Sequence, residues 1–124
     1  MTKTMNKSEF RIGNLVNHYG EIITVDGIDD IDVFNSKCGD IPLHSVHPIE
    51  LNIEWFEILG FQNVMNLYFY HSDFCCKIEK LSNSWAVRFV TAPNQSIIIT
   101  YIYYVHQLQN LFFVFKNEEL SVSV

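Results

Sequence analysis

The chain has 124 residues, a formal net charge of −6 and 48% hydrophobic residues, with ten Phe and six Tyr. That is enough chain for one domain, or one with a small appended module, and enough apolar side chain for a real core, which excludes disorder. Residues 1–50 hold four basic and eight acidic residues and residues 51–124 hold four and six, a balance that argues against sequence-independent binding to DNA or RNA, which draws on Lys and Arg neutralising phosphates.

Residues 1–9 read as a flexible N-terminus. "MTKTMNKSEF" has no apolar run, so no signal peptide is expected. From Phe10 the chain reads "FRIGNLVNHYGEIITVDGI". Apolar residues alternate at Phe10, Ile12, Leu15 or Val16, Ile23 and Val25, and "NHYG" between them is a turn-forming set. Two strands joined by a hairpin are expected. A third, short and irregular strand follows at Ile31–Phe34, with a turn at Gly39. Pro42 and Pro48 bracket a loop or edge segment, because neither donates to a sheet ladder.

"ELNIEWFEILGF" is the first clear helix, with Asn52 as its cap and Gly60 just past its end. Ile53, Phe56 and Leu59 make its apolar stripe, and Glu50, Glu54 and Glu57 fall elsewhere. Strands are expected at 66–71, 74–81 and 84–90, then at "SIIITYIYY" (96–104), the segment richest in β-branched and aromatic residues. "YVHQLQNLFFVF" is the last helix. Val105, Leu108, Leu111, Phe112 and Phe115 form its stripe, and Gln107, Gln109 and Asn110 are expected on its wet side. Phe113 and Val114 fall outside the stripe, either under the tail "ELSVSV" acting as an edge strand or at an interface with another chain. No run is long enough to span a membrane.

The expected fold class is α+β. A small N-terminal β module (10–47) precedes an α-β-β-β-α unit with an antiparallel sheet (49–124), the boundary lying near Pro48.

Candidate chemistry is sparse. Cys38, His44 and His47 are side-chain types that a zinc site draws on, but no C-x-x-C pair accompanies them. Surface histidines on a loop are the plainer reading. Cys38, Cys75 and Cys76 form an odd set in a chain without a secretion signal, which fits reduced thiols in a cytoplasmic protein. Cys75 and Cys76 read as strand residues rather than nucleophiles. "HSD" (His71, Ser72, Asp73) holds the letters of a triad, yet three consecutive residues do not converge. Tyr68, Tyr70, Tyr101 and Tyr103 would serve as a stacking platform for single-stranded nucleic acid. The net charge weighs against that, and packing under the helices is the ordinary alternative. "DGIDDID" concentrates Asp26, Asp29, Asp30 and Asp32 in seven residues without an EF-hand pattern. It reads as a solvated acidic turn or as a negative patch that docks on a basic partner.

The strand–turn–strand opening resembles that of small SH3-like barrels. More specifically, "RIGNLV", the helix end W-x-x-x-x-G-F (Trp55 to Phe61) and "YVHQLQNLFF" look like a group of small uncharacterised proteins found in Bacteroidetes-type bacteria and in their phages and prophages. The resemblance covers most of the chain and carries no catalytic or binding residues with it. What it implies is a mobile-element setting, in which small acidic proteins without active sites often inhibit host machinery such as restriction or RNA-guided nucleases.

The leading expectation is therefore a non-enzymatic, cytoplasmic protein-binding module without cofactor, metal or membrane association. Its two candidate surfaces are the acidic turn (Asp26, Asp29, Asp30, Asp32) and the outer side of the last helix (His106, Gln109, Asn110, Phe113). A structural or self-assembling homodimer joined through the last helix is the second expectation. A metal protein or enzyme built on Cys38, His44 and His47 is the third.

Overall fold

The computed structural model describes residues 9–120. Expectations for residues 1–8, and for the part of "ELSVSV" beyond Leu120, lie outside the described residues. The protein is α+β: among the described residues there are eleven strands, all paired antiparallel, and two α-helices, one of them C-terminal. Among the described residues no helix is long and apolar enough to cross a membrane. Contacts divide the chain into two compact units. One is formed by the chain through Glu50 with Tyr104–Asn110, the other by Leu51–Tyr103 with the residues from Leu111 onward. The chain thus divides two residues beyond Pro48. The first half of the last helix belongs to the N-terminal unit, not to the 49–124 unit expected from the sequence.

In the first unit, β1 (Leu15–His18) and β2 (Glu21–Thr24) form a hairpin, with His18 opposite Glu21. Tyr19 and Gly20 both have positive φ, 51° and 83°. This is the primed turn whose twist matches the flanking strands, and Gly20 is the residue that adopts it without strain. The Asn17 side chain accepts from the Gly20 N–H at 2.8 Å. β6 (Val46–His47) pairs with the other side of β1. A separate meander joins β3 (Gly27–Ile28), β4 (Asp32–Asn35) and β5 (Gly39–Pro42). The sequence reading had one strand here. Of the two it lacked, β3 and β5, the latter exists because Asn35 ties off the turn: its side chain accepts from the N–H groups of Lys37 and Cys38 and donates to the Thr24 carbonyl. Pro42 ends β5 at the sheet's edge, where its missing N–H costs nothing. The unit's core is Phe10, Val16, Ile23, Val25, Val33, Ile41 and Val46, with Leu43 against it.

In the second unit, α1 (Ile53–Ile58) precedes a five-stranded sheet. The strands are β7 (Gln62–Val64), β8 (Tyr68–Tyr70), β9 (Cys76–Lys80), β10 (Trp85–Ala92) and β11 (Gln95–Ile102), in simple consecutive order. The short amide-rich β7 has no hydrophobic pattern and was not expected. Asn52 caps α1 by accepting from the Trp55 N–H at 2.8 Å. The helix ends in a Schellman arrangement, with the Phe61 N–H bonded to the Phe56 carbonyl and the Gly60 N–H to the Glu57 carbonyl. Gly60 has φ +87°, and a Cβ added there would lie 3.3 Å from His71 Nε2. Gly60→Ala is expected to lower stability by about 1–3 kcal/mol, read as a lower denaturant midpoint at unchanged m-value. An unchanged midpoint would mean that the turn relaxes.

Phe56 and Leu59 are fully buried, whereas Ile53, assigned to the same stripe, is exposed. Three positions per step is less than a full helical turn, so the stripe rotates off the sheet by Ile53. Around Phe56 stand Phe69 (stacked, 4.5 Å), Trp85 (4.6 Å) and Phe61 (5.6 Å). A second aromatic group gathers Phe74, Phe112 and Phe115, with Phe89 stacked on Phe115.

The last helix, α2, runs Val105–Lys116. The Gln107 side chain accepts from the Tyr104 N–H at 3.1 Å, half of a capping box. Val105, Leu108 and Phe112 are buried as expected, while Val114 is 77% exposed.

Candidate protein-docking surface

The run "DGIDDID" is distributed over the β3–β4–β5 meander. Asp26 precedes β3, Asp29 and Asp30 occupy the β3–β4 turn, and Asp32 opens β4. The local backbone explains why acidic residues suit these places. Asp29 Oδ1 accepts from the Asp30 N–H at 2.7 Å, and the Asp29 N–H closes the turn on the Asp32 carbonyl at 2.8 Å. Asp26 Oδ2 reaches across to the Ser36 N–H at 2.8 Å. These are turn bonds that short carboxylates make well.

Register then builds a row that is invisible in one dimension. Phe34 lies opposite Gly27 on one side and Asp40 on the other. The missing side chain at Gly27 leaves space for Phe34, whose Cβ a Cβ there would meet at 3.3 Å and whose ring it would meet at 3.9 Å. Asp29, Asp32 and Asp40 line a shallow groove of about 350 Å³ together with Ile28 and Phe34. Phe34 is 44% exposed, Ile28 37% and Ile31, at the turn, 72%. The outward face of β4 and β5 thus carries one exposed aromatic ring, Phe34, with Asp32 two residues before it and Asp40 opposite it. Lys37 is the single basic residue between Arg11 and Lys77, so the field of this face is negative. The sequence reading missed Asp40, Ile28, Ile31 and Phe34. The signal that would have found them is the Asn35 turn, which pairs β4 with β5 and carries Asp40 back beside Phe34.

The other proposed surface does not form as expected. His106 and Gln109 are each 2% exposed, so neither lies on an outer face. The reason is the loop before β1. Gln109 accepts from the Leu15 N–H at 2.8 Å and donates to the Gly13 carbonyl at 3.3 Å. Asn110 Oδ1 accepts from Asn14 Nδ2 at 2.7 Å and from Arg11 Nε at 3.1 Å. Asn14, fully buried, also accepts from the Arg11 N–H at 2.7 Å. A buried non-repetitive segment needs partners for its backbone, and an amide side chain supplies a donor and an acceptor together. "RIGN" and "QLQN" are therefore each other's hydrogen-bond partners. Phe113 is half-buried, and Val114 and Phe115, the latter assigned to the stripe, are the exposed apolar residues on this helix.

Among the described residues no three His, Cys, Asp or Glu side chains come together as a metal site requires. Cys38 and His44 are exposed and His47 half-buried, and the zinc expectation for Cys38, His44 and His47 is overturned. The "HSD" letters do not assemble either: His71 Nδ1 accepts from the Asp73 N–H at 3.0 Å. Burial lowers the His71 pKa from 6.5, with Asp73 pulling the other way. Tyr70, Tyr101 and Tyr103 are exposed rather than packed under helices. Tyr68 carries the Lys77 ammonium 4.5 Å above its ring.

Cys75 is exposed in the bend before β9, not in a strand as expected, and Cys76, the first residue of β9, is buried. The Cys76 thiol is pushed up to about 12, first by burial and then by Cys75 beside it. A thiolate is the reactive form, so a thiol reagent at neutral pH is expected to modify Cys38 and Cys75 in the native protein. Cys76 should react only in denaturant. Three fast thiols would contradict this packing.

A second concavity, of about 470 Å³, lies over Phe69 and Trp85. Its polar rim is already engaged. Asn52 caps α1, Asn63 and Asn66 bond each other, and Lys80 Nζ sits 4.6 Å over the Trp85 ring. The acidic groove, with the Phe34 ring exposed in it, is the better candidate. No family model matches this chain, and neither the curated proteins nor the solved structures compared with it include a match.

Proposed function

We propose that the protein is a non-enzymatic cytoplasmic binding module that docks on a basic protein surface through the outer face of the β3–β4–β5 meander. One observation carries this reading: the exposed Phe34 lies in a groove that Asp29, Asp32 and Asp40 also line. Protein interfaces combine an apolar centre with a polar rim, and the rim charge steers encounter. A surface of this sign suits partners that otherwise hold nucleic acid, since both present negative charge around a flat contact. The resemblance of "RIGNLV" and "YVHQLQNLFF" to mobile-element proteins points to a host defence nuclease as the target class, in the manner of anti-restriction and anti-CRISPR inhibitors. Asp26 and Asp30 extend the rim along the same meander.

The test is capture from host lysate by the tagged protein, with and without nuclease treatment, beside the double variant Asp29→Lys, Asp40→Lys. Both positions are exposed, so the variant keeps the core. A stoichiometric partner that survives nuclease and is lost by the variant supports the reading, with an association rate lowered by about tenfold or more at low salt. A partner held equally by both proteins at low salt, or one released by nuclease, would remove it.

A further inference from the structure

The two edges of the five-stranded sheet are built differently. β7 is three residues long and carries the amides Gln62 and Asn63. That is a blunted edge, too short and too polar to template another strand. β11 at the other edge is eight residues long. β10 pairs with one of its sides, and among the described residues no strand pairs with the other. The devices that natural edges use are charge, proline, shortness and bulges. Of these, β11 has only a bulge at Ile99, where Val87 pairs Thr100 and Arg88 pairs Ile98. No Asp, Glu, Lys or Arg occurs between Arg88 and Lys116. Ile97, Ile98, Ile99 and Tyr101 are all between 38% and 56% exposed, so the strand is apolar on both faces as well as unpaired along its side.

We infer that β11 is a self-association edge, pairing antiparallel with β11 of a second copy across a two-fold axis to join the two sheets into one. Charge selects this occupant. Each copy carries −6, and two such chains repel wherever acidic surface meets acidic surface. A contact made of Gln95–Ile102 brings no charge against charge. A basic partner, by contrast, finds no carboxylate on this strand to recognise. Pairing of one strand with its own copy is isologous: the same residues serve both sides and the assembly closes at two. Pairing β11 with β7 of the next copy would not close, and β7 is the edge built to refuse it. The inference uses a different surface from the acidic face, so each stands or falls alone.

Sedimentation or light scattering over a dilution series reads the mass, and hydrogen exchange at the same concentrations reads the β11 amides. The expected result is twice the 14.5 kDa chain at high concentration, falling to one chain on dilution, with β11 amides losing protection in step while β9 amides keep theirs. Ile97→Lys sets a lysine from each copy into one contact and is expected to raise the dissociation constant at least about tenfold. Should that variant fail to show a cooperative melt, Ile97→Thr replaces it, and the wild-type exchange series decides without either. One-chain mass at every concentration overturns the inference. So does a dimer indifferent to Ile97 with freely exchanging β11 amides, or growth into open polymers. Protection that persists in the one-chain species at the β11 amides not bonded to β10 would mean that the chain covers its own edge, and overturns it too.

Discussion

Phe56→Ala is expected to destabilise the second unit by about 3–5 kcal/mol, the range for emptying a large aromatic site in a packed core. Phe56 is fully buried. Its ring stacks on Phe69 at 4.5 Å and 15°, and meets Trp85 and Phe61 edge-on. Each such pair adds to the area term, because the positive edge of one ring faces the negative face of the next. Domains of this size hold only about 5–15 kcal/mol in all, so the variant should be marginal at ambient temperature. Both tryptophans, Trp55 and Trp85, belong to this unit, which makes their fluorescence its reporter in a denaturant titration. Phe56→Leu keeps most of the apolar volume and should recover part of the loss. A deficit below about 1.5 kcal/mol for the alanine variant would show that the surrounding rings collapse into the space.

The second large effect concerns the amide cluster in the first unit. Asn14→Ala and Asn110→Ala are each expected to cost about 1–3 kcal/mol, because each leaves a buried polar neighbour without its bond. Asn14 loses its partner Asn110 Oδ1 at 2.7 Å, and the Arg11 N–H loses Asn14 Oδ1 at 2.7 Å. The double variant should cost less than the sum, with a coupling of about 0.5–3 kcal/mol. Additive losses would mean that the two asparagines act separately. The same cycle separates a structural role from a docking role. If Asn110 and Gln109 served a partner directly, replacing Asn110 would weaken capture while leaving the unfolding midpoint in place. The geometry predicts the reverse.

The contrast between the two candidate surfaces shows what kind of information a sequence holds. Asp26, Asp29, Asp30 and Asp32 were legible as a surface because short carboxylates crowded between turn residues have nowhere else to go. His106, Gln109 and Asn110 were read as wet because polar residues on a helix usually are. Gln109 is drawn inward by the backbone of Gly13 and Leu15, about a hundred residues away in the chain, and Asn110 by the side chains of Asn14 and Arg11. No local pattern encodes that need. It arises only once the loop is buried and its N–H and C=O groups lose water.

Local chemistry by itself determined the α+β class, the Tyr19-Gly20 hairpin, the Asn52 cap, the Gly60 helix stop and most of the later strands. Each of these is settled within a few residues, by φ preferences, side-chain alternation or a cap bond. Only the tertiary structure decided the register that sets Asp40 beside Phe34. It alone joined Val105–Asn110 to the N-terminal unit, dispersed Cys38, His44 and His47, and left β11 as a long uncharged edge. These depend on which strand lies next to which and on which backbone groups are shut away from solvent. Both are properties of distant segments brought together, which neighbouring residues do not record.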